Sequence, residues 1–197
     1  MKPTSAAIFA LAVTTIAACG DDARPRAADG ELAVADVAAP LTAEQRQFLA
    51  HYADRCGQTF TGRTVMVDLG PDHPLEGASL TMTLERCTED EVRIPFHVNG
   101  DRSRTWILTV TEEGLRLAHD HRHPDGTEYE ANFYGGYADD RGTGTKQFFP
   151  ADARTIADRP AREVNVWSKE FDLENGRYYY RLYLQGELRY EGEFDLD

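Results

Sequence analysis

Short turns divide most of this chain into segments that have the composition of β-strands. Asn99-Gly100 and Asn175-Gly176 are two-residue turns of the kind that joins antiparallel strands, and His123-Pro124-Asp125-Gly126 fits a type I turn followed by a glycine bulge. Strand-like segments lie at 59–69, 77–87, 91–98, 103–111, 114–122, 127–134, 145–149, 163–173, 177–185 and 187–195. The pattern predicts a mostly β fold, an antiparallel meander of about ten strands.

A meander of this length leaves two edge strands exposed unless the sheet closes on itself. We therefore expect a lipocalin-like up-and-down barrel, with a two-sheet sandwich as the alternative. One helix is predicted before the strands, because Thr42 can cap it and Phe48 and Tyr52 recur at helical spacing. A glycine-containing loop is expected at 135–144 and a short helix at 151–159.

The amino terminus has the features of an export signal. Lys2 is followed by an apolar stretch at 5–18, which is too short to span a bilayer as a helix. The sequence Ile16-Ala17-Ala18-Cys19 resembles the lipobox of bacterial lipoproteins, in which the cysteine carries the lipid. We therefore predict a lipoprotein signal peptide at 1–18 and lipidation of Cys19. The alternative is an ordinary signal peptide with a cysteine there by chance.

Lipid on Cys19 would anchor the protein to a membrane and place it in the bacterial cell envelope. In enterobacterial lipoproteins, which this amino terminus resembles, an aspartate after the lipidated cysteine is linked to inner-membrane retention. The residue after Cys19 is Gly20, so the resemblance favours the outer membrane, facing the periplasm; Asp21 and Asp22 leave the inner membrane as the alternative. Residues 19–40 contain no aromatic residue and are rich in Ala, Asp and Pro, so we predict a disordered tether. The remaining residues, 41–197, have the length of a single domain.

Cysteine content, net charge and motifs restrict the chemistry further. Cys56 and Cys87 form an even pair in an exported chain, which predicts one disulfide; a paired metal site or free thiols are the alternatives.

The formal net charge of −13 argues against a nucleic-acid partner, because such binding requires a basic surface. The sequence indicates no cofactor and identifies no protein partner. It contains no nucleophile-elbow motif and no phosphate-binding loop, so we do not expect an enzyme.

One run of residues carries most of the functional chemistry, His119-Asp120-His121-Arg122-His123. Side chains alternate across a strand, so the histidines share a face with Leu115 and Leu117, and this makes their face the inner one. A four-residue loop joins this strand to the preceding one. Its length places Trp106 of the preceding strand opposite His119, and Arg104 of the preceding strand opposite His121.

The turn after the run predicts a second register. A three-residue bulged turn at 124–126 sets Tyr129 opposite His121 and Phe133 opposite Leu117. The two registers together predict one patch on the inner face, formed by Arg104, Trp106, His119, His121, Tyr129 and Phe133.

This patch has the chemistry of a ligand site. A guanidinium beside histidine N–H donors can hold a carboxylate or phosphate, and aromatic walls suit the apolar part of a ligand. We therefore expect a small, partly apolar ligand with an anionic group. Metal binding by His119 and His121 is the alternative, although Arg104 opposes a cation and further ligands would be needed. A structural or protein-interaction lipoprotein without a ligand is the third possibility.

The His-Asp-His-Arg-His run has a wider context in the chain. Ser103-Arg104-Thr105-Trp106, Tyr134-Gly135-Gly136 and Gln147-Phe148-Phe149-Pro150 accompany it within residues 78–196. This combination resembles a family of secreted bacterial β-rich proteins whose activity is uncharacterised. The resemblance implies export and a β fold, and it assigns no role to any residue.

Overall fold

The computed structural model describes residues 41–197. The predicted signal peptide at 1–18, the lipidation of Cys19 and the tether at 19–40 lie outside the described residues. None of the helices within 41–197 has the length and apolar composition needed to cross a membrane. The elements are α1 (Ala43–Ala53), β1 (Thr59–Val67), β2 (Ser79–Thr83), β3 (Arg86–Cys87), β4 (Glu91–Val98), β5 (Asp101–Thr111), β6 (Gly114–His121), β7 (Tyr134–Tyr137), β8 (Lys146–Pro150), α2 (Ala153–Asp158), a 3-10 helix (Pro160–Arg162), β9 (Asn165–Asp172), β10 (Arg177–Leu184) and β11 (Glu187–Asp195).

The strands form one antiparallel sheet that curls into a nearly closed up-and-down barrel. The order of strands in the sheet is β7-β6-β5-β4-β2-β1-β11-β10-β9-β8, and the short β3 pairs with β4. The first and last long strands of the chain are therefore neighbours, and the opening of the barrel falls between β7 and β8. The predicted mostly β, lipocalin-like barrel with one amino-terminal helix is confirmed, and the sandwich alternative is wrong.

Two backbone hydrogen bonds bridge the opening between β7 and β8. The amide of Asp139 donates to the carbonyl oxygen of Phe148, and the amide of Asp152 donates to that of Gly135, each at 3.0 Å. These bonds satisfy backbone groups that would otherwise form two exposed sheet edges. The barrel is thus held together at its seam by a short contact and not by a full strand ladder.

Glycine makes this close approach possible. A Cβ atom added to Gly136 would lie 1.7 Å from the carbonyl oxygen of Pro150, and one added to Gly135 would lie 1.9 Å from that of Leu117. The prediction of a loop at 135–144 is therefore wrong at its beginning. These glycines belong to β7, where the absence of a side chain lets two neighbouring backbones come close.

Helix α1 packs against the aromatic interior at one end of the barrel. Its Phe48 and Tyr52 side chains are fully buried, and the Tyr52 hydroxyl lies 2.8 Å from that of Tyr178. A disulfide joins Cys56, just after the helix, to Cys87 in β3. The predicted pairing of these cysteines is confirmed, and it fixes the helix to the sheet.

The interior of the barrel is layered along the strands. From the α1 end, the inward residues are Phe171, Lys169 and Trp167 in β9 and Tyr178, Tyr180 and Leu182 in β10. Alternate residues of a strand lie about 7 Å apart, so each pair forms a separate layer. The aromatic layer against α1 is followed by a layer that contains a lysine, and then by the layer that surrounds the candidate site.

Candidate functional site

The hairpin of β5 and β6 builds one wall of the candidate site. Its register pairs Trp106 with His119 and Arg104 with His121, which confirms the predicted pairing. Because these residues alternate with outward-facing ones, all four belong to the inner face of the barrel. The local sequence of one hairpin thus brings together four of the six residues of the predicted patch.

The register predicted for the following segment is wrong beyond the turn. It begins correctly, since the Tyr129 amide donates to the His121 carbonyl oxygen at 3.2 Å. The chain then leaves the sheet, with φ of 51° at Ala131 and 57° at Phe133, and returns three residues out of the predicted register. As a result Leu117 pairs with Gly136 instead of Phe133, and His119 pairs with Tyr134.

Asn132 stabilises this excursion. Its side-chain oxygen accepts a hydrogen bond from the His121 amide at 2.8 Å, and its side-chain nitrogen donates to Asp120 at 2.6 Å. The Asn132 side chain thus takes the place of a backbone partner for β6. A side chain that mimics the backbone in this way allows the irregular segment to be ordered.

Tyr129 and Phe133 do not belong to the site, contrary to the prediction. Tyr129 is 43% exposed and stacks on His123, with 3.8 Å between ring centroids. Phe133 lies 5.7 Å from the guanidinium of Arg122 on the outer side of the sheet. Their place in the wall is taken by Tyr134, whose ring stacks on that of His119 at 4.8 Å.

A cavity of about 290 Å³ lies inside the barrel beyond this wall. Four of the six predicted residues line it, namely Arg104, Trp106, His119 and His121. Sequence reasoning missed the rest of the lining, which includes Leu69, His73, Leu75, Phe96, Tyr134, Arg162, Trp167, Tyr180, Leu182 and Tyr190. Most of these residues are distant in the chain from the hairpin, so no local pattern joins them to it.

The charge of the cavity is opposite to that of the chain. Arg104 and Arg162 both line it, and no Asp or Glu of the described residues does so. The Arg162 guanidinium lies 3.7 Å from the ring centroid of Tyr134. Arg104 is held at the rim by Asp101, at 2.5 Å. In a chain with a formal charge of −13, two arginines facing one cavity without a lining carboxylate create a local anion-attracting potential.

His119 is fixed as a neutral acceptor. Its Nδ1 lies 3.1 Å from the Tyr134 carbonyl oxygen, which can only accept, so Nδ1 carries the proton. Nε2 then accepts a hydrogen bond from the Tyr180 hydroxyl at 2.7 Å. Burial holds the pKa of His119 well below its usual value. Both ring nitrogens are therefore engaged within the protein.

His121 is also neutral near pH 7. Burial, with the neighbouring Arg104 and Arg162, lowers the pKa of His121 to about 4. Its Nε2 lies 2.9 Å from the Tyr134 hydroxyl. The positive charge of the cavity thus comes from the arginines, and the histidines supply polar contacts and shape.

The metal alternative lacks a ligand set. Within residues 41–197, no group of three His, Cys, Asp or Glu side chains is placed to hold a metal ion. His119 would also have to give up a buried hydrogen bond to coordinate one. The geometry therefore favours an anion over a cation at this site.

Lys169 lies in the layer beneath the cavity and was not singled out by sequence reasoning. Its side chain is fully buried, and Nζ has no hydrogen-bond partner among the described residues. Nζ lies 3.4 Å from the ring centroid of Trp106 and 4.7 Å from that of Tyr180. Burial lowers the pKa of Lys169 well below its usual value. The sequence feature that indicates burial of Lys169 is its position between Trp167 and Phe171 on the same face of one strand.

We expect Lys169→Met to stabilise the protein near pH 7 by about 2 kcal/mol, because methionine has a similar shape and no polar group to desolvate. In the unfolded chain, Lys169 keeps its proton up to about pH 10. In the folded chain, the pKa of Lys169 is lowered, so the proton is lost at a lower pH. Between the two pKa values the stability of the wild type rises with pH. Urea unfolding at about pH 6 and about pH 9 should therefore show the advantage of the variant shrinking; a constant advantage would contradict the lowered pKa of Lys169.

The fold and the cavity define a nearly closed antiparallel β-barrel with a cationic, aromatic interior. Comparison with known proteins adds no relative: no family model, curated protein or solved structure matches the chain. The predicted resemblance to a family of secreted bacterial proteins stays a prediction. Function must therefore be inferred from the cavity itself.

Proposed function

We propose that this protein binds a small, partly apolar ligand through an anionic group inside its barrel. The observation that carries the proposal is the pair Arg104 and Arg162, facing one cavity that no described carboxylate lines. A guanidinium offers paired donors to a carboxylate or phosphate, and such hydrogen bonds are strengthened by charge. The sequence-based prediction of an anionic ligand is kept, with Arg162 and Tyr134 in place of Tyr129 and Phe133.

The apolar part of the ligand would lie against flat aromatic walls. Trp106 stacks on Phe96 with 4.2 Å between ring centroids, and both line the cavity with Trp167. The cavity volume of about 290 Å³ is near the lower end for small-molecule sites, which run from about 300 to 1,000 Å³. The size and shape suit a compact ring compound with one acidic group.

The location of this activity rests on the amino terminus. With lipid on Cys19 and a tether at 19–40, the barrel would be held at a membrane of the bacterial envelope. We propose the outer membrane, with the barrel in the periplasm. A binding protein placed there would meet small anions from the surroundings of the cell.

The two tryptophans of the chain give a direct test. Trp106 and Trp167 both line the cavity, so a bound ring compound should quench the intrinsic fluorescence. We expect 2-naphthoate to bind and neutral 2-naphthalenemethanol to bind far more weakly. Replacing both arginines, Arg104→Gln and Arg162→Gln, should weaken 2-naphthoate binding by at least about 100-fold, since two charged hydrogen bonds of roughly 1.5–3 kcal/mol each are lost.

A surface arginine supplies the control for this titration. Arg63→Gln removes a guanidinium that is 74% exposed and paired with Glu193 on the outer wall, so binding should not change. Equal affinities for the acid and the alcohol would contradict the role of the anion. An unchanged affinity in the double variant would contradict the role of the two arginines.

A further inference from the structure

Lysine is rare in this chain, and its use is informative. The sequence contains three lysines, Lys2, Lys146 and Lys169, against eighteen arginines. Lys146 forms an ordinary ion pair with Glu170 at 2.9 Å. Lys169 instead occupies a fully buried position in the barrel. A guanidinium does not lose its proton in proteins, whereas an amine does, so only lysine can be neutral there.

Full burial without a counter-ion favours the neutral amine of Lys169. Trp106, Tyr180 and Tyr178 surround Nζ, at 3.4, 4.7 and 5.8 Å from their ring centroids, and the attraction of their faces for an ammonium is smaller than the cost of burying an unpaired charge. Nζ finds no hydrogen-bond acceptor among residues 41–197, and therefore no carboxylate that would keep it charged. An amine in an apolar, water-poor setting has a free lone pair and becomes a nucleophile. Two of the rings that it contacts, Trp106 and Tyr180, also line the cavity.

We propose that the Nζ amine of Lys169 is a covalent binding site for a small carbonyl compound, an aldehyde or a ketone, which it holds as an imine inside the barrel. The inference deepens the proposed function, on which it rests for the anionic group of the same ligand. Arg104 and Arg162 would hold the anion, and Lys169 would hold the carbonyl carbon. The ligand class is then a carbonyl compound with an acidic group.

The reaction balances without an oxidant or a reductant. The lone pair of Nζ attacks the carbonyl carbon, a C–N bond forms, and one of the two amine protons passes to the carbonyl oxygen to give a carbinolamine. The second amine proton then passes to the hydroxyl oxygen as the C–O bond breaks, so one water leaves and a C=N bond is formed.

Access to the amine involves the rings above it. Lys169 contacts Trp106 and Tyr180 but does not itself line the cavity, so the carbonyl carbon reaches it when one of these rings turns aside. Once formed, the imine would lie in the apolar layer between the cavity and the layer against α1. Exclusion of water there would slow its hydrolysis.

Reductive trapping tests the proposal on the purified full chain. We would incubate it with 4-carboxybenzaldehyde or with benzaldehyde, add sodium borohydride, and locate the adduct by intact mass and peptide mapping. We expect one adduct, on Lys169, that forms at least 10-fold faster with the acidic aldehyde. The Lys146→Arg variant should behave as the wild type, and Lys169→Met should give no adduct in the barrel.

The outcomes separate this inference from the proposed function. Trapping on Lys169 at equal rates with both aldehydes would support the imine and contradict the anion site. Quenching by 2-naphthoate without trapping on Lys169 would support the anion site and overturn the imine. Labelling of Lys146 in preference to Lys169 would also overturn it. Because Lys146→Arg leaves Lys169 as the single lysine of 41–197, any lysine adduct that this variant forms within 41–197 lies on Lys169, and the absence of one overturns the imine.

Discussion

Gly136→Val is expected to lower the free energy of unfolding by about 3–5 kcal/mol and to separate β7 from β8. A Cβ at this position would lie 1.7 Å from the carbonyl oxygen of Pro150, a contact between two backbones that no rotamer change can relieve. The strands must therefore move apart, and the two hydrogen bonds across the seam are weakened. Urea unfolding followed by circular dichroism measures the loss as a lower midpoint.

Gly144→Val is the matched control for this experiment. The three atoms nearest to a Cβ at Gly144 all belong to the exposed Gln47 side chain, which can turn away. We expect this variant to unfold within about 1 kcal/mol of the wild type. Equal losses in the two variants would show that valine is disfavoured in both segments for a general reason. In that case the close approach at the seam would not be what stabilises the barrel.

The Gly136 substitution should also affect the cavity. β7 carries Tyr134 opposite His119, so moving β7 outward removes the carbonyl oxygen that orients the His119 ring. We infer that the seam stabilises both the barrel and the inner wall. Gly135 and Gly136, which the sequence predicts as the start of a loop, are thus required for the geometry of the candidate site.

The part of the site that could be predicted is the part that local sequence determines. β5 and β6 are continuous strands joined by a short turn, so the turn length sets the register, and Arg104 and Trp106 fall opposite His121 and His119 as predicted. Alternation along the strand then assigns the inner face. The helix cap and the disulfide are predictable for the same reason, since each depends on a small number of residue types.

The rest could not be predicted, because it depends on contacts between distant segments. The composition of 131–133 does not indicate that Ala131 and Phe133 adopt positive φ angles. This conformation depends on a hydrogen bond between Asn132 and the His121 amide, which belongs to another strand. Arg162 reaches the cavity from a 3-10 helix, and Lys169 becomes buried only when the barrel closes around it. Asn132, Arg162 and Lys169 therefore resemble ordinary polar residues until the sheet is closed.

Removing the disulfide, with Cys56→Ala and Cys87→Ala together, is expected to lower the free energy of unfolding by about 3–4 kcal/mol. The bridge spans 31 positions, and a closed loop of that length restricts the unfolded chain substantially. It also fixes the end of α1, whose Phe48 and Tyr52 are buried against the barrel. The wild type under reducing conditions should unfold at the same urea concentration as the double variant.

The same variant tests whether the two ends of the barrel are independent. The disulfide and α1 lie at the Phe171 end, whereas the cavity lies at the Trp167 end of the same strand. We therefore expect quenching of the fluorescence by 2-naphthoate to give the wild-type affinity in the folded double variant. A parallel loss of affinity would mean that a change in packing at α1 alters the cavity. The change would be transmitted by the layer between α1 and the cavity, which contains Lys169 and the ring of Trp106. The disulfide would then help to position the site as well as stabilise the fold.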